Sequence, residues 1–378
     1  MSPFVFIIAL FQLIVFLGHW LLYKTLVRFL GLQGSTALGS AALKLLFVSL
    51  SISFLAASVL AFRQSGPLVR AFYTLSASWL GVFHFLFWAS VLCWISFWAH
   101  RAFGLRFDSA TWATALLSLG LIAGLYGIVN AQNPGIKKID IALSGPAAGH
   151  NPHNLWRGKT AVFISDLHLG PVRNTGFARR MADRIRGLGP DILFIGGDLY
   201  DGTKSDAKKL AEPFAEIAPP LGVYFITGNH EEFSAGAKER YIRAVSEAGI
   251  KVLDNRMVVV DGLQIVGVDY MDTFTKKAYE RVLEKIGFTR GGPVLLLKHS
   301  PMYPDVSYRQ GVTLELCGHT HGGQILPVNF ITHYVYKGFD GGLKRLGNLT
   351  VYTSEGTGTW GPPMRVGSEP EITVIRFL

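Results

Sequence analysis

The first third of this chain contains four stretches without a single Asp, Glu, Lys or Arg, running Pro3–Tyr23, Leu45–Phe62, Ala71–His100 and Ser109–Ile136. A helix crosses the hydrocarbon of a bilayer in about 20 mostly apolar residues, and only a helix or a closed barrel satisfies its own backbone there. The four stretches therefore predict four transmembrane helices. Trp20, Tyr23, Trp79, Trp94, Trp98, Trp112 and Tyr126 fall mostly toward their ends, where amphipathic rings settle at the membrane–water boundary. Four successive charge-free runs argue against buried helices of a water-soluble core. The first run lacks a basic leading region and a small-residue cleavage site before Lys24, so it reads as a span rather than a signal peptide. His19 and His84 have no acidic partner nearby in sequence and read as packing or interfacial residues.

Charge follows the same division. Through Pro134 the basic residues are Lys24, Arg28, Lys44, Arg63, Arg70, Arg101 and Arg106 against the single acid Asp108, which gives +6 of the total +10. The basic balance is thus mostly a property of membrane loops. With no zinc finger, no aromatic-basic RNA motif and no isolated basic domain, nucleic acid is not an expected partner. Cys93 falls in a span and Cys317 after an apolar run, so no disulfide is expected between them. A first domain of residues 1–134 and a second of 135–378 follow, joined through a segment, 130–149, rich in Asn, Pro, Gly and Ala around a short strand at Lys138–Leu143.

The second domain carries its chemistry in five clusters: Asp166-Leu-His168, Gly197-Asp198-Leu-Tyr-Asp201, Gly228-Asn229-His230-Glu231, His299 and Gly318-His319-Thr-His321. Each follows a short apolar run, at Ala161–Ile164, Ile192–Ile195, Val223–Ile226, Val294–Leu297 and Thr313–Leu316, that reads as a buried strand of a layered α/β domain. Sites in such folds gather beyond the carboxyl ends of the strands, so distant segments can converge. Any one cluster alone is an ordinary strand exit or turn. Together they supply the donors for two divalent ions about 3.5–4 Å apart sharing one oxygen ligand, the arrangement of metal-assisted phosphate ester hydrolysis. Asp198 is the natural bridge. Imidazole and carboxylate donors without thiolate suit manganese, iron or zinc. Asp201 is expected to hydrogen-bond to ligands rather than to bind metal.

These clusters match the D-x-H, G-D-x-x-D, G-N-H-D/E, H, G-H-x-H pattern, and over about residues 138–378 the chain resembles the calcineurin-like metallophosphoesterase superfamily. The flanking text Ser165-Asp-Leu-His-Leu-Gly170, Lys298-His-Ser-Pro301 and Cys317-Gly-His-Thr-His-Gly-Gly-Gln324 is similar to its bacterial branch of exported and membrane-bound phosphohydrolases. The resemblance implies an α-β-β-α sandwich, with Asp166, His168 and His321 on one ion, Asn229, His299 and His319 on the other, and Asp198 between them. It also implies that His230 protonates the leaving group or stabilises the phosphoryl oxygens, and that Glu231 orients His230.

Elsewhere the second domain reads as scaffold. Phe177, Met181, Ile185 and Leu188 recur at helical spacing between Asn174 and Gly189-Pro190, with arginines on the solvated face. Helices are expected near Ala207–Ile217, Ala237–Ala248 and Lys276–Ile286, a hairpin turns at Asp261-Gly262, and a last strand runs Ile372–Phe377. Tyr334, Tyr336, Lys337, Lys344 and Arg345 form a candidate rim toward lipid headgroups. Four spans put both termini on one side. With an external amino terminus, Lys24, Arg28, Lys44, Arg101 and Arg106 lie inside against Arg63, Arg70, Lys137 and Lys138 outside, a margin of one charge. The resemblance favours the same orientation, a cell-membrane protein with an extracytoplasmic catalytic domain. The expected activity is cleavage of a phosphoester or pyrophosphate bond in a phosphorylated, lipid-linked substrate, with membrane lipid as partner. The alternatives are a membrane-anchored phosphodiesterase of soluble substrates and a non-catalytic sensor. Loss of a ligand would favour the sensor, and none is lost.

Overall fold

The computed structural model describes residues 3–32, 36–104, 108–143, 155–233 and 236–378. Arg106 and residues 144–149 of the junction lie outside the described residues. The described chain divides into two compact units, residues 1–130 with 361–366, and residues 131–360 with 367–378.

The first unit contains α1 (Pro3–Leu30), α2 (Ala37–Arg63), α3 (Pro67–Phe103) and α4 (Ser109–Asn130). All four are long and apolar enough to cross a membrane. Three begin or end beyond the charge-free runs: α1 continues through Lys24 and Arg28, α2 takes in Lys44, and α3 takes in Arg70 and Arg101. Long basic side chains are good helix formers that can lay their stems along apolar surface, so a charge need not end the helix. α4 stops at Asn130, six residues before its charge-free run ends, ahead of Asn133-Pro134. His19 is a packing residue here. Its Nδ1 faces the Val15 carbonyl at 2.8 Å, its Nε2 receives the Trp79 indole N–H at 2.9 Å, and its ring stacks on Phe83 at 3.7 Å. Residues Gly361–Val366 belong to this unit: Arg365 N donates to the Gly127 carbonyl at 2.9 Å, and Met364 fills the space where Gly81 lacks a side chain.

The second unit runs β1 (Gly135–Ile141), β2 (Thr160–Ile164), α5 (Thr175–Gly187), β3 (Ile192–Ile195), α6 (Ala207–Ala211), β4 (Val223–Phe225), α7 (Ala237–Glu247) and β5 (Lys251–Val252). It continues with β6 (Arg256–Val260), β7 (Leu263–Gly267), α8 (Lys276–Ile286), β8 (Val294–Leu297), α9 (Pro304–Gln310) and β9 (Leu314–Cys317). α10 (Val328–Val335), β10 (Gly342–Leu346), β11 (Leu349–Thr353) and β12 (Glu371–Phe377) complete it. The strands form two six-stranded sheets, ordered β1-β12-β2-β3-β4-β5 and β10-β11-β9-β8-β7-β6. Within them β2 to β5 are parallel, as are β7, β8, β9 and β11.

Alternation along each strand builds three apolar layers. Phe163 and Phe194 of one sheet meet Leu295, Leu297, Leu314 and Leu316 of the other between the sheets. Val162, Ile164, Leu193 and Ile195 face Phe177, Met181 and Ile185 of α5 on one outer side. Val294 and Leu296 face Tyr279 and Leu283 of α8 on the other. Helix, sheet, sheet and helix stack as the family resemblance implied. The expected strand at Lys138–Leu143 sits three residues earlier, beginning at Gly135, where β1 pairs in parallel with β12. Only the first part of the helix expected over Ala207–Ile217 is α-helical; from Glu212 it tightens into a 3₁₀ turn containing Pro213. A proline cannot supply the amide that an α-helix would use there.

Candidate metal centre

All five clusters stand at the carboxyl edge of parallel strands: Asp166 and His168 after β2, Asp198 after β3, Asn229 and His230 after β4, His299 after β8, His319 and His321 after β9. Glycines let these loops crowd together. A Cβ on Gly228 would lie 2.3 Å from Asp198 Oδ1, and one on Gly318 would lie 2.3 Å from Asp166 Oδ2. Asp166, His168, Asp198, His319 and His321 all hold positive φ, between 50° and 73°. A side-chain-bearing residue is disfavoured in that region, and such strain concentrates where the surrounding structure enforces a functional geometry.

The side chains converge on one carboxylate oxygen. Asp198 Oδ2 lies 3.2 Å from His299 Nε2, 3.8 Å from His168 Nε2 and 4.0 Å from His230 Nε2. On one side, His168 Nε2 and His321 Nε2 face each other at 3.0 Å, and Asp166 Oδ1 is 3.5 Å from His321 Nε2. On the other, His299 Nε2 is 3.2 Å from both His319 Nδ1 and Asn229 Oδ1. Asp166, His168 and His321 can bring one donor atom each within 4.8 Å of one another, and so can Asp198, His299 and His319. Ring nitrogens aimed at one another and at buried carboxylates repel or orphan some of their lone pairs unless cations lie among them. The donor set fits two divalent ions, with carboxylate, imidazole and amide groups and no thiolate.

Electrostatics agree with that fit. Burial, reinforced by His299, drives His319 down to about 3, so its imidazole is neutral and able to coordinate. Burial also lifts Asp166 to about 6. Burial pulls Asp198 upward as well, but His299, His230 and His168 outweigh it and hold this carboxyl well below the usual range.

His230 and Glu231 occupy different roles. The His230 backbone N–H donates to Asp198 Oδ1 at 2.8 Å, and its ring Nδ1 meets the Asp201 carbonyl at 3.1 Å. A carbonyl only accepts, so Nδ1 carries the proton and Nε2 is the atom turned toward the centre. Burial lowers its pKa, opposed by Asp198 and by the Asp201 carbonyl. His230 also forms a close donor group with His168 and Asp198. Glu231 corrects an expectation. Instead of orienting His230, its carboxylate accepts three backbone N–H groups: Oε2 from Asp198 at 3.0 Å and Gly228 at 2.7 Å, and Oε1 from Tyr200 at 3.0 Å. It ties the β3 and β4 loops together, while the Asp201 carbonyl holds the His230 ring. The Asp201 carboxylate itself stands 3.7 Å from His168 Nδ1.

Sequence reasoning missed the loop after β11. Thr357 N donates to the Ser165 carbonyl at 2.8 Å and Gly358 N to the Asp166 carbonyl at 2.9 Å, which buttresses the first cluster from behind. A Cβ at Gly358 would meet Leu167 O at 2.2 Å. The signal was the Gly356-Thr-Gly358 run following a strand parallel to β9. Aromatic rings then rim the centre: Phe233 and Trp360 at 4.1 and 6.1 Å from the His230 ring, Tyr270 at 5.7 and 5.8 Å from His299 and His319, and Tyr336 at 6.2 Å from His319.

Two sheets that bring His, Asp and Asn side chains together around Asp198 at their strand ends form a candidate centre for divalent ions. Comparison with known proteins agrees. The family model described as calcineurin-like phosphoesterase matches residues 159–323. A transmembrane protein with metallophosphoesterase domain from Danio rerio is 33% identical over 273 residues, covering 68% of this chain and 61% of the relative. An uncharacterized metallophosphoesterase from Aquifex aeolicus is 34% identical over 223 residues, covering 56% of this chain and 82% of the relative. Phosphodiesterase YaeI of Escherichia coli is 29% identical over 233 residues, covering 57% and 81%. The chain therefore belongs to the calcineurin-like metallophosphoesterase family. It spans about three-fifths of the length of the Danio rerio relative.

Proposed function

We propose that this chain is a multi-pass membrane enzyme whose site around Asp198 would hold two divalent ions and cleave a phosphoester or pyrophosphate bond in a lipid-linked substrate, with the catalytic domain outside the cytoplasm. The observation that carries the hydrolytic part is the position of Asp198 Oδ2, within 4.0 Å of histidine nitrogens from both ligand groups. Asp166, His168 and His321 would hold one ion and Asn229, His299 and His319 the other. Such ions, when bound, neutralise phosphoryl charge and make a water acidic enough to attack near neutral pH. The chain's own residues do the rest. Glu231 fixes the spacing of the two ligand loops through three N–H groups. His230, held through Nδ1 by the Asp201 carbonyl, presents Nε2 to the leaving oxygen and, when doubly protonated, gives it a proton. Phe233 and Trp360 beside that ring offer an apolar surface to the departing group.

Four spans support the lipid reading, since a single helix suffices to tether a domain. The extracytoplasmic side rests on the one-charge loop margin. A second reading is a membrane-anchored phosphodiesterase of soluble substrates, its reaction type taken from the relative named a phosphodiesterase. The discriminating experiment reconstitutes the full chain in nanodiscs and assays metal-dependent hydrolysis of lipid-borne and soluble phosphoesters in parallel. The lipid reading expects preferential turnover of the lipid-borne set. Equal or better turnover of soluble diesters rejects it.

A further inference from the structure

We propose that α10 is an interfacial helix whose apolar face docks on the lipid bilayer, anchoring the metal-bearing edge of the second sheet at the membrane surface. None of its eight residues is buried, and Phe330, Ile331, Tyr334 and Val335 are 69%, 63%, 85% and 51% exposed. These four sit at i, i+1, i+4 and i+5, so they share one face of the helix. The opposite side is polar: Thr332 Oγ1 donates to the Val328 carbonyl at 3.1 Å, and His333 Nδ1 meets Asp340 Oδ1 at 3.0 Å. A contiguous exposed apolar face of this kind marks an interaction surface.

Three observations select lipid as the occupant. The first is charge. No acidic residue occurs from Gln324 to Phe339, Lys337 follows the helix, and β10 carries Lys344 and Arg345 on exposed positions. An apolar face in an acid-free stretch, with basic residues following it in the chain, suits anionic headgroups over acyl chains. The second is length. Eight residues make a helix of about 12 Å, too short to span the hydrocarbon and suited to lying in its surface. The third is proximity along the chain. α4 ends at Asn130 and β1 begins at Gly135, so the domain is tethered beside a bilayer and meets it at high effective concentration.

The helix is also seated on the metal loop. A Cβ on Gly323, two residues past His321, would lie 2.3 Å from the Asn329 Cα, a distance only glycine permits. Gln324 in the same turn grips Trp360 through both amide groups, donating to its carbonyl at 2.8 Å and accepting from its N–H at 2.9 Å. Trp360 is itself 56% exposed, and an indole is at home at the membrane boundary. Docking of α10 would thereby fix the open side of the centre at headgroup level.

This inference rests on the membrane assignment and stands whether or not the substrate is a lipid. Its test uses the full chain in nanodiscs. Cys93 and Cys317 are buried, so a Tyr334→Cys variant can be labelled selectively with an environment-sensitive fluorophore, with Phe330→Cys as a second position. Lys208→Cys, whose native side chain is 78% exposed on α6, is the aqueous reference. Turnover of a soluble activated ester at the native rate verifies that each variant is folded. Quenching by brominated acyl chains should be about threefold or more stronger at positions 330 and 334 than at 208, and stronger still with phosphatidylglycerol in the disc. Quenching no greater than at the reference overturns the proposal. So does a label shielded from aqueous iodide but untouched by bromolipid, which would make a protein surface or a second copy the occupant. Quenching reports docking and the substrate panel reports specificity, so either can fail without the other.

Discussion

Replacing Glu231 with Gln separates the role that the structure gives this residue from the one implied by its motif. Both carboxylate oxygens are acceptors in the native site, one for Asp198 and Gly228 and one for Tyr200. An amide keeps one oxygen. Its least costly orientation turns the NH₂ toward the Tyr200 N–H, which leaves two buried donors face to face. An unsatisfied buried polar group costs about 1–3 kcal/mol, so the pair together destabilises by roughly 2–6 kcal/mol. For a domain of this size that corresponds to a fall in Tm of roughly 4–24 °C. Amide hydrogen exchange should rise most at Tyr200, then at Asp198 and Gly228, and metal affinity should fall because Asp198 sits on the released loop. A melting curve by intrinsic fluorescence and residue-resolved exchange measure both effects. Native stability and exchange, with a turnover defect confined to substrates whose leaving group needs a proton, would refute the loop-clamp role and restore Glu231 as the orienting partner of His230.

His230→Ala should retain both ions by elemental analysis while turnover falls about 10²–10⁴-fold for alkoxide leaving groups and much less for nitrophenyl esters; loss of an ion would make His230 a ligand. Gly318→Ala places a methyl 2.3 Å from Asp166 Oδ2, and the shifted carboxylate should weaken metal binding by about 10–100-fold in chelator competition. Native metal affinity in that variant would mean the loop yields without disturbing the ligand. Gly358→Ala meets the Leu167 carbonyl at 2.2 Å, so its melting temperature and activity should fall together, whereas activity loss at native stability would point to direct contact of this loop with substrate.

Most of the centre was legible because its chemistry demands particular donors at strand ends. β3, β8 and α8 fall at the expected residues, since buried parallel strands and an amphipathic helix carry strong local patterns. What escaped has no such pattern. The partners of Glu231 are backbone N–H groups, invisible to a reading of side-chain types. β1 alternates clearly only from Lys137 onward, and its start at Gly135 is set by pairing with β12. α10, β10 and β11 were not foreseen; for α10 the reason is that a helix with no buried residue offers no polar–apolar contrast against a core. The spans were legible in number but not in extent, as charges were taken for helix ends.

The site proposed around Asp198 would hold a pair of divalent ions sharing that carboxylate. Electron paramagnetic resonance of the protein loaded with manganese, read alongside metal content and turnover, decides whether it does. Two manganese ions per chain with an exchange-coupled signal are predicted, and Asp198→Asn should abolish the coupling, lower the metal content and eliminate hydrolysis. A single ion per chain in the native protein, or two uncoupled ions with turnover unchanged in Asp198→Asn, would contradict the account.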